Sequence, residues 1–190
     1  MPLLDEKNDY YSAEDYYALP EGEHVELING KFYDMASPSQ LHQEISSELF
    51  ATIHAYIRSE KGQCKVFTAP FDVKLETKRD TIVQPDISVI CDSNKLDGKK
   101  CNGAPDWIIE IVSPSSSSND YVRKYEIYKQ AGVREYWLVH PDDKSIVVHR
   151  FFGENIGTDA YTFDDAVRAG IYDDLTIDFK TIIDAIKGNN

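Results

Sequence analysis

The apolar positions fall into runs with two different periods. Leu41, Ile45, Leu49, Ile53, Tyr56 and Ile57 recur at helical spacing, which predicts a long helix from Ser39 to about Glu60 with Gly62 as its stop. The shorter runs CKVFTA, FDVKLE, IVQPDISVIC, WIIEIV, EYWLVHP and SIVVHRFF read as strands. HVELINGKFYDM reads as a hairpin around Asn29-Gly30, since both turn residues tolerate positive φ. Ser12 is placed to cap a short helix in YYSAEDYYAL, with Glu14 and Asp15 in its first turn. Asn119 or Asp120 is placed to cap a helix that runs to about Ala131 and ends at Gly132. The tail FKTIIDAIK is amphipathic and reads as a last helix. Strands and helices in this order predict an α/β or α+β architecture, a central mixed sheet flanked by helices with an N-terminal hairpin.

At 190 residues the chain fits a single domain, with a core over about 12–150 and an acidic C-terminal extension over 151–190. The net charge is −13, which argues against simple nucleic-acid binding, because phosphate contacts need Lys and Arg. The distribution softens that argument. Residues 1–34 carry nine acids and two bases, and residues 151–190 eight acids and three bases, so the stretch between them is nearly neutral. Its candidate positive positions are Lys65, Lys74, Lys78, Arg79, Lys99, Lys100, Arg123, Lys124 and Lys129. No apolar run approaches the roughly 18–20 residues that cross a bilayer. The start MPLLDEKNDYY lacks the basic and apolar regions of a secretory signal. Cys64, Cys91 and Cys101 form no CxxC pair, so the expectation is reduced thiols in a cytoplasmic protein.

Two carboxylates stand out chemically. Five of the six residues of WIIEIV are apolar, yet Glu110 lies among them. A carboxylate in such a strand must be paired, protonated or bound to a metal, or lie at a sheet edge. In IVQPDISVIC, read as one strand, alternation puts Gln84, Asp86 and Ser88 on one face, and Pro85 favours an edge, a bulge or a strand start. Two carboxylates on neighbouring strands make a hard-oxygen site suited to Mg²⁺ or Mn²⁺. A cation is the missing part. Lys124 and Tyr128, four apart, share a face of the helix that follows, although Asp120 is also placed to pair with Lys124. His24, His54 and His149 are too dispersed for zinc, and no GxGxxG, Walker A or G-x-S-x-G motif is present.

Pro85-Asp86 followed by Glu110-Ile111-Val112 resembles the PD-(D/E)XK nuclease signature, except that Val112 stands where a Lys is expected. The wider pattern resembles one bacterial branch of that superfamily, the Uma-type restriction endonuclease family. The matching stretches are VELINGKFYDMASPS, QPDISVI and PDWIIEIVSPSSSSNDYVRKYEIYKQAGVREYWLVHP, within about 12–150. The resemblance implies a restriction-endonuclease-like core and a Mg²⁺- or Mn²⁺-dependent endonuclease acting on DNA. In that reading Asp86, Glu110 and the main-chain carbonyl of Ile111 hold the metal. Lys124, shifted to the helix, assists the attacking water. An acid from the first part of the fold completes the site; of Glu26, Glu44 and Glu48, Glu44 is favoured. His42 hydrogen-bonds a ligand or a strand carbonyl. Cutting both strands of a duplex favours a homodimer. The alternative, favoured by the net charge and the absent Lys at 112, is a catalytically inactive nuclease-fold module for nucleic-acid or protein binding.

Overall fold

The computed structural model describes residues 10–113, 118–153 and 156–188. Ser12 caps the first helix, α1 (Ala13–Tyr17), through a capping box with Asp15. Strands β1 (Val25–Ile28) and β2 (Lys31–Asp34) form the expected hairpin, with Asn29 at φ 51° and Gly30 at φ 76°. A Cβ on Gly30 would stand 2.8 Å from the Tyr10 Cβ, so only glycine lets the N-terminal segment lie on this turn.

Ser39 caps the long helix α2 (Gln40–Ser59), whose buried stripe is His42, Ile45, Ser46, Leu49, Ile53 and Ile57. Its end departs from expectation. The left-handed residue is Lys61, at φ 51°, and Gly62 lies one position beyond. The Gly62 N–H reaches the Ile57 carbonyl at 2.9 Å and the Lys61 N–H reaches Arg58 at 3.3 Å, a Schellman closure with lysine where glycine is usual. Lys61→Gly should therefore raise stability by about 0.5–1 kcal/mol, the left-handed cost less the ammonium's favourable interaction with the helix dipole. Thermal unfolding measures it, and an unchanged or lower Tm would contradict it.

The middle of the chain supplies β3 (Lys65–Thr68), β4 (Val73–Leu75), β5 (Thr81–Val83), β6 (Ile87–Ile90), β7 (Cys101–Asn102) and β8 (Trp107–Ile111). Then come α3 (Ser118–Ala131), β9 (Glu135–His140), β10 (Ser145–Arg150), β11 (Gly157–Thr162), β12 (Ala166–Arg168), β13 (Thr176–Asp178) and α4 (Phe179–Gly188). α3 already runs through Asn119 and Asp120, so neither caps it, and their side chains lie outside the described residues, as does the 114–117 stretch of the Ser-rich loop. The strands form a five-stranded sheet, β2-β1-β5-β4-β7, a mixed six-stranded sheet, β11-β10-β9-β8-β6-β3, and the small pair β12-β13. The class is mixed α+β.

One expected strand is two. IVQPDISVIC breaks at Gln84-Pro85-Asp86: β5 belongs to the first sheet and β6 to the second. Pro85 has no N–H to donate to a ladder, so the chain changes sheets there. The shared face expected for Gln84, Asp86 and Ser88 does not exist.

The six-stranded sheet is covered on both faces. On one, Ile87, Val89, Trp107, Ile109, Trp137 and Val139 pack with the α2 stripe. On the other, Ile108, Tyr136 and Leu138 pack with Ile127 and Tyr128 of α3 and with Val73, Leu75 and Val83 of the first sheet. The acidic C-terminal stretch is no peripheral tail. Phe163, Val167, Leu175, Ile177, Phe179, Ile182 and Ile186 enter the same core as α2. Glu135, fully buried, ties this stretch down by accepting from Trp137 Nε1 at 2.7 Å and the Ile171 N–H at 3.0 Å.

The expectation of three reduced thiols fails. Cys64 and Cys91 flank the paired ends of β3 and β6, where Lys65 faces Ile90, and form a disulfide; Cys101 remains free and buried. Antiparallel pairing of these two strands brings the cysteines together, and that pairing cannot be read from cysteine spacing. No helix among the described residues is long and apolar enough to cross a membrane.

Candidate active site

Strand pairing brings the two key carboxylates together. β6 and β8 are antiparallel, with Ile87 opposite Ile109. The same register carried one residue further sets Asp86, at the sheet switch, opposite Glu110. The Asp86 Oδ2 accepts the Ile111 N–H at 2.7 Å and lies 3.1 Å from His42 Nε2, in the first turn of α2. A carboxylate only accepts, so that imidazole nitrogen carries the proton. Burial disfavours a charged His42, but the hydrogen bond to Asp86 and its negative charge outweigh burial and raise the imidazole pKa above 6.5.

Glu110 sits among apolar neighbours, as its strand required, and is held from α3. Its Oε1 accepts from Lys124 Nζ at 2.9 Å and from the Tyr128 hydroxyl at 2.7 Å. Lys124 and Tyr128 share a helix face, so one turn of α3 supplies both donors. Lys124 also reaches Glu26 of β1, at 3.1 Å to Oε1 and 3.0 Å to Oε2. Glu26 Oε1 accepts the Gln84 N–H at 3.0 Å, so the sheet switch that exposes Asp86 also fixes the partner of Lys124.

Electrostatically the cluster is short of positive charge. Lys124 is bonded to two carboxylates, Glu26 and Glu110, and a third, Asp86, stands opposite Glu110 on the neighbouring strand. Burial pushes the Glu110 carboxyl above its ordinary range; Lys124 pulls it down, while Asp86 and Glu26 push it further up. Burial opposes the charge on Lys124, but Glu110 and Glu26 hold its pKa well above the ordinary lysine value. Burial and the Glu110 charge raise the Tyr128 phenol, which therefore stays a donor.

Each of the two cross-strand carboxylates commits one oxygen to the fold. Asp86 Oδ1 and Glu110 Oε2 make no hydrogen bond or ion pair among the described residues. Both residues line a cleft of about 790 Å³, together with His42, Ile111, Arg123 and Lys124. Arg123 lies over the Tyr33 ring at 4.2 Å. No group of three His, Cys, Asp or Glu side chains among the described residues is arranged around one ion position, so a metal here would need main-chain and water oxygens as well.

Asp86, Glu110, Ile111, Lys124 and His42 thus converge. Glu44 does not: it pairs with Gln40 along α2 at 2.8 Å and does not line the cleft. Glu48 is also outside it, and Glu26 stands where Glu44 was expected. The signal for Glu26 was a lone acid among Val25, Leu27 and Ile28. Lys124 is engaged by Glu26 and Glu110; the side chain of Asp120, its expected helical partner, lies outside the described residues. The Gln84 main chain was missed, because the strand was read as continuous through it.

Three comparisons bear on this arrangement. A solved structure titled a putative nuclease belonging to DUF820, from Anabaena variabilis, superposes with a TM-score of 0.74 at 24% identity, over 90% of this chain and 96% of that one. At that identity the likeness speaks for a shared fold. An uncharacterized protein of Synechocystis sp. is 25% identical over 119 residues, which span 62% of this chain and 61% of that protein. The chain thus covers about three-fifths of the length of that curated relative. The model of the Uma2 family, described as "Putative restriction endonuclease", matches residues 13–165. That match takes in every residue of the cluster from Glu26 to Tyr128, and the chain belongs to the Uma2 family.

Proposed function

We propose that this protein is a divalent-metal-dependent nuclease that hydrolyses phosphodiester bonds in DNA. The observation that carries the reading is the pair of oxygens, Asp86 Oδ1 and Glu110 Oε2, left without a partner among the described residues beside a lysine in the same cleft. Hard oxygen donors from two carboxylates suit Mg²⁺ or Mn²⁺, with the Ile111 carbonyl and water completing the set. A bound ion would supply Lewis acidity towards the phosphate and a more acidic water.

The protein's own groups do the rest. Lys124 orients the attacking water and offsets the charge that builds on the phosphate. Glu26 is a positioning residue, holding the lysine on the cleft side of Glu110. His42 and the Ile111 N–H fix the Asp86 carboxylate, and Tyr128 fixes Glu110. The family's description, "Putative restriction endonuclease", supports DNA as substrate, while the nearly neutral middle of the chain neither implies nor excludes it.

Plasmid nicking tests the reading. Supercoiled DNA should be cut with Mg²⁺ or Mn²⁺ and left intact in EDTA, and calorimetry should record metal binding without DNA. Metal binding with no cutting would remove DNA as the substrate. No metal binding would remove the mechanism.

A further inference from the structure

A second cleft, of about 390 Å³, opens where the end of α2 meets β3. Arg58, Lys61 and Lys65 stand around it, all exposed, and none forms an ion pair among the described residues. Lys78, Lys99 and Lys187 also lack an ion pair among the described residues, so what sets Arg58, Lys61 and Lys65 apart is that all three line one cleft. Lys74, Arg134 and Arg150 have acidic partners, and Arg79, Lys100 and Lys129 lie over tyrosine rings. Glu60 accepts from Ser59 and does not line the cleft. Three unpaired cations at one concavity create a local field opposite to that of the whole molecule. The helix dipole accounts for cations at Arg58 and Lys61 but not for Lys65, which is on the strand. Lys61 also occupies a left-handed position that glycine would fill with less strain.

The two clefts follow one another along α2 and β3. The larger is walled by His42, Ser46 and Phe50 of α2 and Thr68 of β3; the smaller by His54 and Arg58 of α2 and Phe67 of β3. Phe50 of the larger and His54 of the smaller stack at 5.5 Å. From His42 to Arg58 the helix rises about 24 Å, the length of about seven phosphates of one strand. We propose that this α2–β3 groove is a nucleic-acid backbone track. It carries the phosphates flanking the cut away from Asp86 and Glu110 and ends on Arg58, Lys61 and Lys65. The direction of the track rests on the nuclease reading; the cationic end does not.

Fluorescence anisotropy with a labelled duplex of about 20 base pairs, without divalent metal so that nothing is cut, tests it on the full chain. The groove variant is Arg58→Ala/Lys61→Gly/Lys65→Ala. The control, Lys78→Ala/Lys99→Ala/Lys187→Ala, makes the same charge change at exposed positions elsewhere. The groove variant should bind at least about tenfold more weakly, and its slope of log affinity against log salt should fall by about two to three. The control should stay within about twofold of wild type. Equal weakening in both variants, or wild type failing to bind at low salt, overturns the track. A wild type that binds through the groove but cuts nothing would sink the nuclease reading and leave the track standing.

Discussion

Lys124→Met should all but abolish DNA cutting and also weaken the fold. The ammonium is the one cation within hydrogen-bond reach of both Glu26 and Glu110 among the described residues, and all three side chains are buried. Removing it leaves two buried carboxylates facing each other, at a cost of roughly 3–5 kcal/mol. For a chain of this size that corresponds to a Tm roughly 6–20 °C lower. Cutting should fall by about 10²–10³, the usual loss for one group that stabilises transition-state charge. Folding and chemistry can be separated. The double variant Lys124→Met/Glu26→Gln removes one charge of each sign. It should recover most of the lost Tm while remaining unable to cut. Recovery of cutting together with stability would show that Lys124 serves only the fold. Glu26→Gln alone should lower the rate with metal affinity unchanged, as expected of a residue that acts through Lys124.

Asp86→Asn and Glu110→Gln should do the opposite: keep the fold and lose the metal. Each carboxylate gives one oxygen to the protein, Asp86 Oδ2 to Ile111 and His42, and Glu110 Oε1 to Lys124 and Tyr128. An amide retains an acceptor for those bonds but puts an NH₂ group where the second oxygen stood. Each variant should therefore remain folded, bind Mg²⁺ or Mn²⁺ at least about tenfold more weakly, and cut about 10²-fold or more slowly. Calorimetry and nicking on the same preparations decide it. If both amide variants bind metal as wild type does, the ion sits elsewhere and the two oxygens are not ligands.

The residues that reveal this site in the sequence are those that break a local pattern. Glu110 interrupts an apolar strand, and a buried charge there had to be answered by Lys124 or a metal. The Asn29-Gly30 turn, the Ser12 and Ser39 caps and the α2 stripe are local and match the structure. What failed was non-local. Pro85 marked a disturbance, but whether the chain bulges or changes sheets depends on strands distant in sequence, such as β1 opposite β5, where Leu27 faces Ile82. Glu44 is favoured over Glu26 in sequence, and only the placement of β1 beside α3 selects Glu26. The Cys64–Cys91 disulfide depended on the β3–β6 register in the same way. The weak alternation of 157–178 hid three strands, of which β12 and β13 bury one side chain each and β11 none.

The Glu26–Lys124 pair joins residues 98 apart in the chain. During synthesis the acid emerges well before its lysine, by roughly 5–20 s at about 5–20 residues per second. Asp86 and Glu110 likewise meet only once β8 has paired with β6. No contiguous fragment of the chain carries the whole cluster short of one reaching from Glu26 to Tyr128. A nascent chain that ends before Tyr128, or a clipped one that has lost Glu26, therefore lacks the complete cluster.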